Sequence, residues 1–263
     1  MISQTEIFGD DFNIQQIESW FRDEAEAYAD LGAKNLSSYK YKYHYLNKLY
    51  GYNTICKNNR LNHVLGFGSA YGNELLPILN QVDKITIIDP SDTFIGKNLL
   101  SGVTCNWIKP VPCGDLPFVN NTFDLITCFG VLHHIPNVTH VLSEFSRCIK
   151  PGGYIMIREP IVSMGDWRNK RVGLTAHERG IPLSGLYKSI NTAQLDIIKI
   201  NIFGFGPFLS LLSKLNINPY NSSILTHVDR FLSKIFKNGY IYHARTLKER
   251  FRPCHAFVLM IKR

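Results

Sequence analysis

The chain has 263 residues, 45% of them hydrophobic, enough to bury a sizeable core, which excludes a disordered or fibrous protein. Its net charge is +8, and the charge is uneven: residues 1–159 carry 13 Lys and Arg against 16 Asp and Glu, whereas residues 160–263 carry 16 against 5. The C-terminal part is therefore expected to meet an anionic partner (a phosphorylated small molecule, nucleic acid or an anionic membrane surface), unless it is simply a solvated basic face.

The six cysteines, at 56, 105, 113, 128, 148 and 254, form no CxxC pair, and the opening MISQTEIFGDDF has neither a basic stretch nor an apolar leader. No apolar run approaches the roughly 18 residues that span a bilayer. A reducing, cytoplasmic setting without a membrane span is expected.

In chain order, residues 12–31 read as an amphipathic helix capped by Asp11 or Asn13, with Ile14, Ile17, Phe21, Ala25 and Tyr28 at helical spacing. Residues 37–52, SSYKYKYHYLNKLYGY, read as a second helix, either packing its Tyr rings beneath solvated Lys heads or lining an acceptor pocket. Strands are expected at 63–68, 84–89, 103–108, 123–129 and 154–158, with helices at 72–80, 91–100 and 138–149. That alternation predicts a parallel, doubly wound sheet with its ligand at the C-terminal strand ends. A polar, Arg-rich segment at 165–182, a strand at 195–203, a mostly helical stretch at 206–250 and the closing HAFVLMIKR follow. The last two strands suit an antiparallel edge.

The centre of the chain is VLGFGSAYGNELL at 64–76, a strand, a Gly-rich turn and a helix start. Glycines there admit positive φ and close approach of a ligand to free helix N–H groups. Asp89 ends the next strand 21 residues after Gly68, placed for two ribose hydroxyls, although it could instead cap the following helix.

Taken together, VLGFGSAYG, IIDPSD, GDLPFVNNTFDLI, VLHHIPN and LSEFSRCIKPGGYIMIREP resemble the ordered motif series of class I S-adenosylmethionine-dependent methyltransferases, in the ubiquinone/menaquinone-biosynthesis-like superfamily. The resemblance covers roughly 63–160. It implies a Rossmann-like, seven-stranded, mostly parallel sheet with an antiparallel edge and a helical cap. S-adenosylmethionine would lie on Gly66, Phe67, Gly68, Ala70 and Gly72 at its methionine part, on Asp89 and Pro90 at the ribose, by Asp115 and Leu116 at the adenine, and above Phe129 and Gly130 where sulfonium meets acceptor. The family usually has an acidic residue where Gly66 stands and a Gly where Ala70 stands, which leaves the anchoring of the amino-acid end open. A nicotinamide dehydrogenase could use the same turn, but has no role for the LPF-to-FD segment or the KPGGY turn.

The sulfonium already activates the methyl group, so the protein must chiefly align a nucleophile and, for a hydroxyl, take its proton. His133 and His134 follow the fourth strand and are the candidate bases; the second is commonly His in the family for structural reasons, the first varies. Arg158, Arg168, Arg171, His177 and Arg179 are the candidate substrate ligands, since guanidinium forks suit a phosphate. The same residues could form an internal ion-pair network. No His or acidic spacing reads as a metal site.

The expected organisation is an N-terminal helical cap (1–60), a cofactor-binding core (61–160), a rim loop, sixth strand and helical insertion over the acceptor (161–254), and a closing strand (255–263). The expected activity is O-methylation of a small anionic metabolite, such as a nucleotide-linked or phosphorylated sugar of a surface-polysaccharide or natural-product pathway. RNA methylation, or a non-catalytic cofactor-binding subunit, are the alternatives.

Overall fold

The computed structural model describes residues 6–25, 40–56, 60–94, 99–166 and 169–263. One sheet holds β1 (Leu61–Phe67), β2 (Val82–Ile88), β3 (Leu99–Leu100), β4 (Val103–Ile108), β5 (Phe123–Phe129), β6 (Ile149–Pro160), β7 (Asp196–Phe205) and β8 (Pro253–Ile261), in the order β3-β4-β2-β1-β5-β6-β8-β7. Strands β4, β2, β1, β5 and β6 run parallel. Strand β8 lies antiparallel between β6 and β7, forming the expected antiparallel edge. The seven long strands match the sequence reading; the addition is the two-residue β3, antiparallel to β4, in the stretch read as helix 91–100. Of that stretch, Asp92–Phe94 is one 3-10 turn and residues 95–98 lie outside the described residues.

The central strands are nearly continuous apolar runs because helices cover both sheet faces. On one face, Val141, Leu142 and Phe145 of α4 (Val138–Cys148) and Leu186 and Ile190 of α5 (Leu183–Thr192) pack on Ile126, Ile155 and Ile157. On the other, Leu46, Tyr50, Tyr52 and Ile55 join Leu75, Ile78, Phe203 and Phe257. These come from α2 (His44–Asn47), a π-helical turn (Lys48–Tyr52) and α3 (Asn53–Ile55), so the rings of Tyr50 and Tyr52 are core.

The N-terminal helix is shorter in the described region than its periodicity suggests. α1 (Ile14–Glu24) starts at Asn13, whose side chain accepts from Gln16 N while the Gln16 side chain accepts from Asn13 N, a reciprocal cap. Residues 26–31 and 37–39 lie outside the described residues. The segment after the Gly-rich turn, Asn73–Gln81, is a 3-10 helix throughout. Pro77 sits inside it and lacks the N–H that an α-helix would need there. Between β7 and β8 come α6 (Gly206–Lys214) and α7 (Ser223–Phe236). Buried Asp229 of α7 accepts from Gly204 N and Phe205 N, both at 2.8 Å, and so ties the helix to the end of β7.

The chain leaves β1 toward β2 on one side, and β5 lies on the other, so the strand order reverses beside β1. Ligands of such sheets bind in the crevice at that reversal, beyond the carboxyl ends of the strands.

The loop after β6 returns to the sheet through Gly180, and Ile181 N donates to Pro160 O at 2.8 Å. A Cβ on residue 180 would lie 1.9 Å from the Val162 carbonyl oxygen, a backbone atom that cannot swing aside. Gly180→Ala is therefore expected to cost at least the roughly 1–3 kcal/mol of an overpacked core site. A thermal melt should show a midpoint several degrees lower with the circular dichroism spectrum of the folded state retained.

Candidate active site

At the strand reversal the structure opens a cavity of about 630 Å³. Its floor is the ends of β1, β2, β5 and β6, and Trp20, Glu24, Lys40, Tyr41, Lys42 and Tyr43 close it from the N-terminal side. Gly68, Ala70 and Gly72 have φ of 63°, 48° and 72°. Ala70 thus holds a conformation that normally favours glycine, and its N–H is fixed by the Asp89 carboxylate at 2.8 Å. The other Asp89 oxygen accepts from Ser91 N at 3.1 Å. Asp89 therefore organises the turn and the start of the next helix while also lining the cavity.

Glu74, two residues past Gly72, is buried and faces the same end of the cavity. Burial pushes its carboxyl up to about 7, against the lowering effect of a hydrogen bond from Ser69. Its Oε1 has no hydrogen-bond partner and lies 3.3 Å from where a Cβ on residue 66 would stand. A carboxylate thus occupies the neighbourhood from which the sequence motif lacks one.

At the opposite end, Gly130 N donates to Arg158 O at 2.7 Å, and the chain turns at once into Leu132–His134. The fully buried Glu159 accepts from Val131 N (3.0 Å), Leu132 N (3.0 Å) and His133 N (3.3 Å), and receives His133 Nδ1 at 2.7 Å. His133 Nε2 lies 3.4 Å from Glu178 Oε1. Burial alone would discharge His133, but its hydrogen bonds to Glu159 and Glu178 and their charges outweigh it and raise the imidazole to about 9. Glu178, also pushed up by burial, is brought down to about 2 chiefly by His133.

His134 behaves oppositely. Burial first, then the charge on His133, lowers its pKa, although Glu24 Oε2 lies 2.9 Å from its Nδ1. A carboxylate only accepts, so this contact favours hydrogen on Nδ1 and leaves the lone pair on Nε2. The two neighbouring rings, 4.1 Å apart between centroids, therefore differ in charge at neutral pH.

Of the cofactor residues read from the sequence, Phe67, Gly68, Ala70, Asp89, Pro90, Phe129 and Gly130 line the cavity. Gly66 and Gly72 do not line it; Gly66 lies against Ser69 and Glu74, and Gly72 against Ile87 and Leu100. Leu116 is buried and its N–H is held by Glu144 at 2.8 Å, while the exposed Asp115 pairs with His140 Nε2 at 2.7 Å and its neighbour Gly114 lines the cavity instead.

The Arg-rich rim differs from expectation. Arg171 donates to the carbonyls of Met164, Glu178, Thr175 and Ala176, so its guanidinium shapes the loop. Arg179 is buried and donates to the carbonyls of His133, Ile135 and Pro136. The His177 ring stacks on Trp20 at 4.4 Å and its Nε2 meets Asp23 at 2.7 Å. None of the three lines the cavity. Long cationic side chains are readily captured by carbonyl oxygens within their own loop. Arg158 does line the cavity, 3.6 Å over the Tyr43 ring and bonded to Tyr41 Oη and Asn47 Oδ1, both at 3.2 Å. Arg168 lies outside the described residues.

Sequence reasoning missed Glu24, because the fold carries α1 across 110 residues to His134, and Glu74, which stands within the Gly-rich stretch at 64–76 but is marked only by its burial. It also missed that His133, His134 and Glu178 place their ligand atoms within 4.8 Å of one another, a set able to hold a metal ion. In the structure both nitrogens of His133 and the Nδ1 of His134 face carboxylates.

Residues 39–186 match the family model described as a methyltransferase domain, more than half of the chain. The chain belongs to that family. Its class I superfamily uses S-adenosylmethionine, the cofactor expected here. The methyltransferase is 30% identical over 105 residues to sterol 4-C-methyltransferase strm-1 of Caenorhabditis elegans, covering 38% of this chain and 31% of that protein. It is 44% identical over 45 residues to demethylmenaquinone methyltransferase of Bacillus cereus, 17% of this chain and 19% of that one. The chain thus aligns with less than a third of either relative's length. Among solved structures it resembles a candidate sarcosine dimethylglycine methyltransferase of Galdieria sulphuraria (TM-score 0.56, 16% identity, 82% and 83% of the two chains). It also resembles the [4+2]-cyclase SpnF (TM-score 0.55, 15% identity, 82% and 79%). These two likenesses concern the fold, which by the second example does not by itself define a reaction.

The residues present fit the cofactor: a left-handed turn beside a carboxylate at the end of β2, a buried carboxyl group with one unpartnered oxygen for a cationic group, and at Gly130 (φ 74°) a backbone to which a Cβ could be added with no atom nearer than His133 Cε1 at 3.8 Å.

The raised His133 pKa makes stability depend on pH. The ring binds its proton more tightly folded than unfolded, so the contribution of the Glu159–His133–Glu178 group is complete below about 6.5 and is lost as pH rises through about 9. The methyltransferase should melt roughly 5 °C or more lower at alkaline than at neutral pH, and His133→Gln should flatten that dependence.

Proposed function

We propose that this methyltransferase moves the methyl group of S-adenosylmethionine to a hydroxyl oxygen of a small polar metabolite bound beside His134. The observation that carries the reading is the placement of two adjacent imidazoles at one end of the cavity, His133 held between Glu159 and Glu178 with its pKa raised, and His134 beside it with Glu24 on Nδ1 and its pKa lowered. A charged His133 cannot accept a proton, whereas a neutral His134 can. Separating the pKa values of neighbouring groups is how a site assigns such roles.

The bound cofactor supplies an electrophilic methyl group on a positively charged sulfur. Asp89 would accept hydrogen bonds from its ribose, and Glu74 would receive its ammonium group, the cation that this buried carboxylate lacks. Phe129 and Gly130 would form the floor beneath the sulfur. Tyr41, Tyr43 and Trp20 exclude water from above. His134 Nε2 would take the hydroxyl proton of an acceptor held there, so that the oxygen could receive the methyl group the cofactor supplies. Glu24 on Nδ1 orients the ring and stabilises the imidazolium so formed.

A nucleotide-linked or phosphorylated sugar remains the proposed acceptor class. Its support rests on Lys40, Lys42 and Arg158 along the cavity wall, because Arg171 is engaged within its own loop and Arg179 with carbonyls of the histidine turn.

The direct test is transfer of labelled methyl to a small-molecule extract, run beside total RNA. Label entering small hydroxylated anions supports the reading; label entering only RNA overturns it. His134→Asn should lower kcat by roughly 100-fold or more with cofactor affinity retained. Calorimetry separates the cofactor roles. Glu74→Gln should weaken S-adenosylhomocysteine about tenfold or more, the loss of a charged hydrogen bond, and leave methylthioadenosine, which lacks the amino-acid end, unchanged.

A further inference from the structure

Helix α7 is apolar on a face that no other described element covers. Its inner side carries Thr226, Asp229 and Ser233, all buried. Its outer side carries Ile224, Val228, Phe231 and Ile235, which are 75%, 39%, 63% and 55% exposed. Their spacing of four, three and four residues puts them on one stripe along the helix. Leu211 and Leu215, in and just after the neighbouring α6, are 57% and 60% exposed. Packing against this chain does not require apolar residues there.

The charge around the stripe is one-sided. Between Gly206 and Arg252 the chain has eight Lys and Arg and two acidic residues, Asp229 and Glu249. Asp229 is buried on the N–H groups of β7, and Glu249 accepts from Arg245 N and Thr246 N. Exposed Arg230 and Lys234 flank the stripe on one side. A second copy docked on α7 by a twofold axis would bring these cations toward their own duplicates, with no acidic residue on the helix surface to answer them. A surface of anionic headgroups over acyl chains complements both features at once.

We infer that α7 docks this protein on the surface of an anionic lipid bilayer, its apolar stripe entering the headgroup boundary and Arg230 and Lys234 meeting the headgroups. No described helix is long and apolar enough to cross a membrane, so the contact is with the surface. The helix is joined to the cavity wall: Ser223 Oγ donates to Tyr45 Oη at 2.8 Å, and Tyr220 stacks on Tyr43, which lines the cavity. Docking would therefore set the tyrosine wall of the cavity beside the bilayer.

The test is sedimentation of the whole protein with phosphatidylcholine vesicles, with and without phosphatidylglycerol, at low and high salt. Binding to the phosphatidylglycerol vesicles that weakens with salt is expected. Phe231→Ser with Ile235→Ser, and separately Arg230→Glu with Lys234→Glu, should each reduce it about tenfold or more. Both pairs are exposed and remote from the cavity, so circular dichroism and S-adenosylhomocysteine binding should stay unchanged. No vesicle binding, binding indifferent to phosphatidylglycerol, or variants that bind as well as the natural chain would overturn the inference. So would a dimeric mass in solution that becomes monomeric in the Phe231→Ser, Ile235→Ser variant. Cofactor binding is read in the same samples, so failure of docking is distinguishable from failure of the proposed reaction.

Discussion

A single carboxylate without access to water, Glu159, holds the acceptor end of this protein in shape. It stands at the end of β6, accepts three consecutive backbone N–H groups from the turn after β5, and takes His133 Nδ1 as well. A buried carboxylate survives only if its lone pairs are filled, and these four donors fill them. The same bonds fix the turn that carries Gly130, His133 and His134, so the floor of the cavity and the imidazole pair are set by one ion. Removing one partner of such a buried charged group costs on the order of 3–5 kcal/mol in proteins generally, which makes the arrangement rigid.

The electrostatics of the cavity follow from that constraint. His133 is charged because two carboxylates hold it, His134 is less readily charged first because it is buried and then because His133 is charged beside it, and Glu24 sets which nitrogen of His134 carries hydrogen. At the other end, Glu74 pays for its burial with a raised pKa and an unfilled oxygen. One end of the cavity has thus balanced its charges internally and the other has not. In the proposed function that difference, more than shape, gives the cavity its direction, with the cofactor's cationic amino end toward Glu74 and the acceptor toward the histidines.

Much of this was legible in the sequence because it is local. The mostly parallel sheet follows from apolar strands alternating with helical spacing, and the Gly68–Gly72 turn and Asp89 are read from a short motif whose geometry the structure repeats, Ala70 included. What was not legible is non-local. Glu24 reaches His134 across 110 residues, and Glu74 fills the neighbourhood of Gly66 only because the turn folds the helix back on the strand. The Arg-rich loop shows the opposite error. Its composition suggests phosphate recognition, yet Arg171 and Arg179 are drawn to carbonyls of the loop and of the histidine turn, a choice that spacing cannot reveal. The helix read at 72–80 is present, and Pro77 within it goes with its 3-10 form.

The central claim is that Glu159 and Glu178 split the titration of two adjacent histidines, leaving the second as a base. Nuclear magnetic resonance of protein with isotope-labelled imidazoles, followed across pH and assigned with His133→Gln and His134→Asn, measures this directly. The account predicts that His133 keeps its proton up to about pH 9 while His134 loses its own below the ordinary histidine value of 6.5. Two rings that titrate together near 6.5, or a His134 that holds its proton longer than His133, would contradict it.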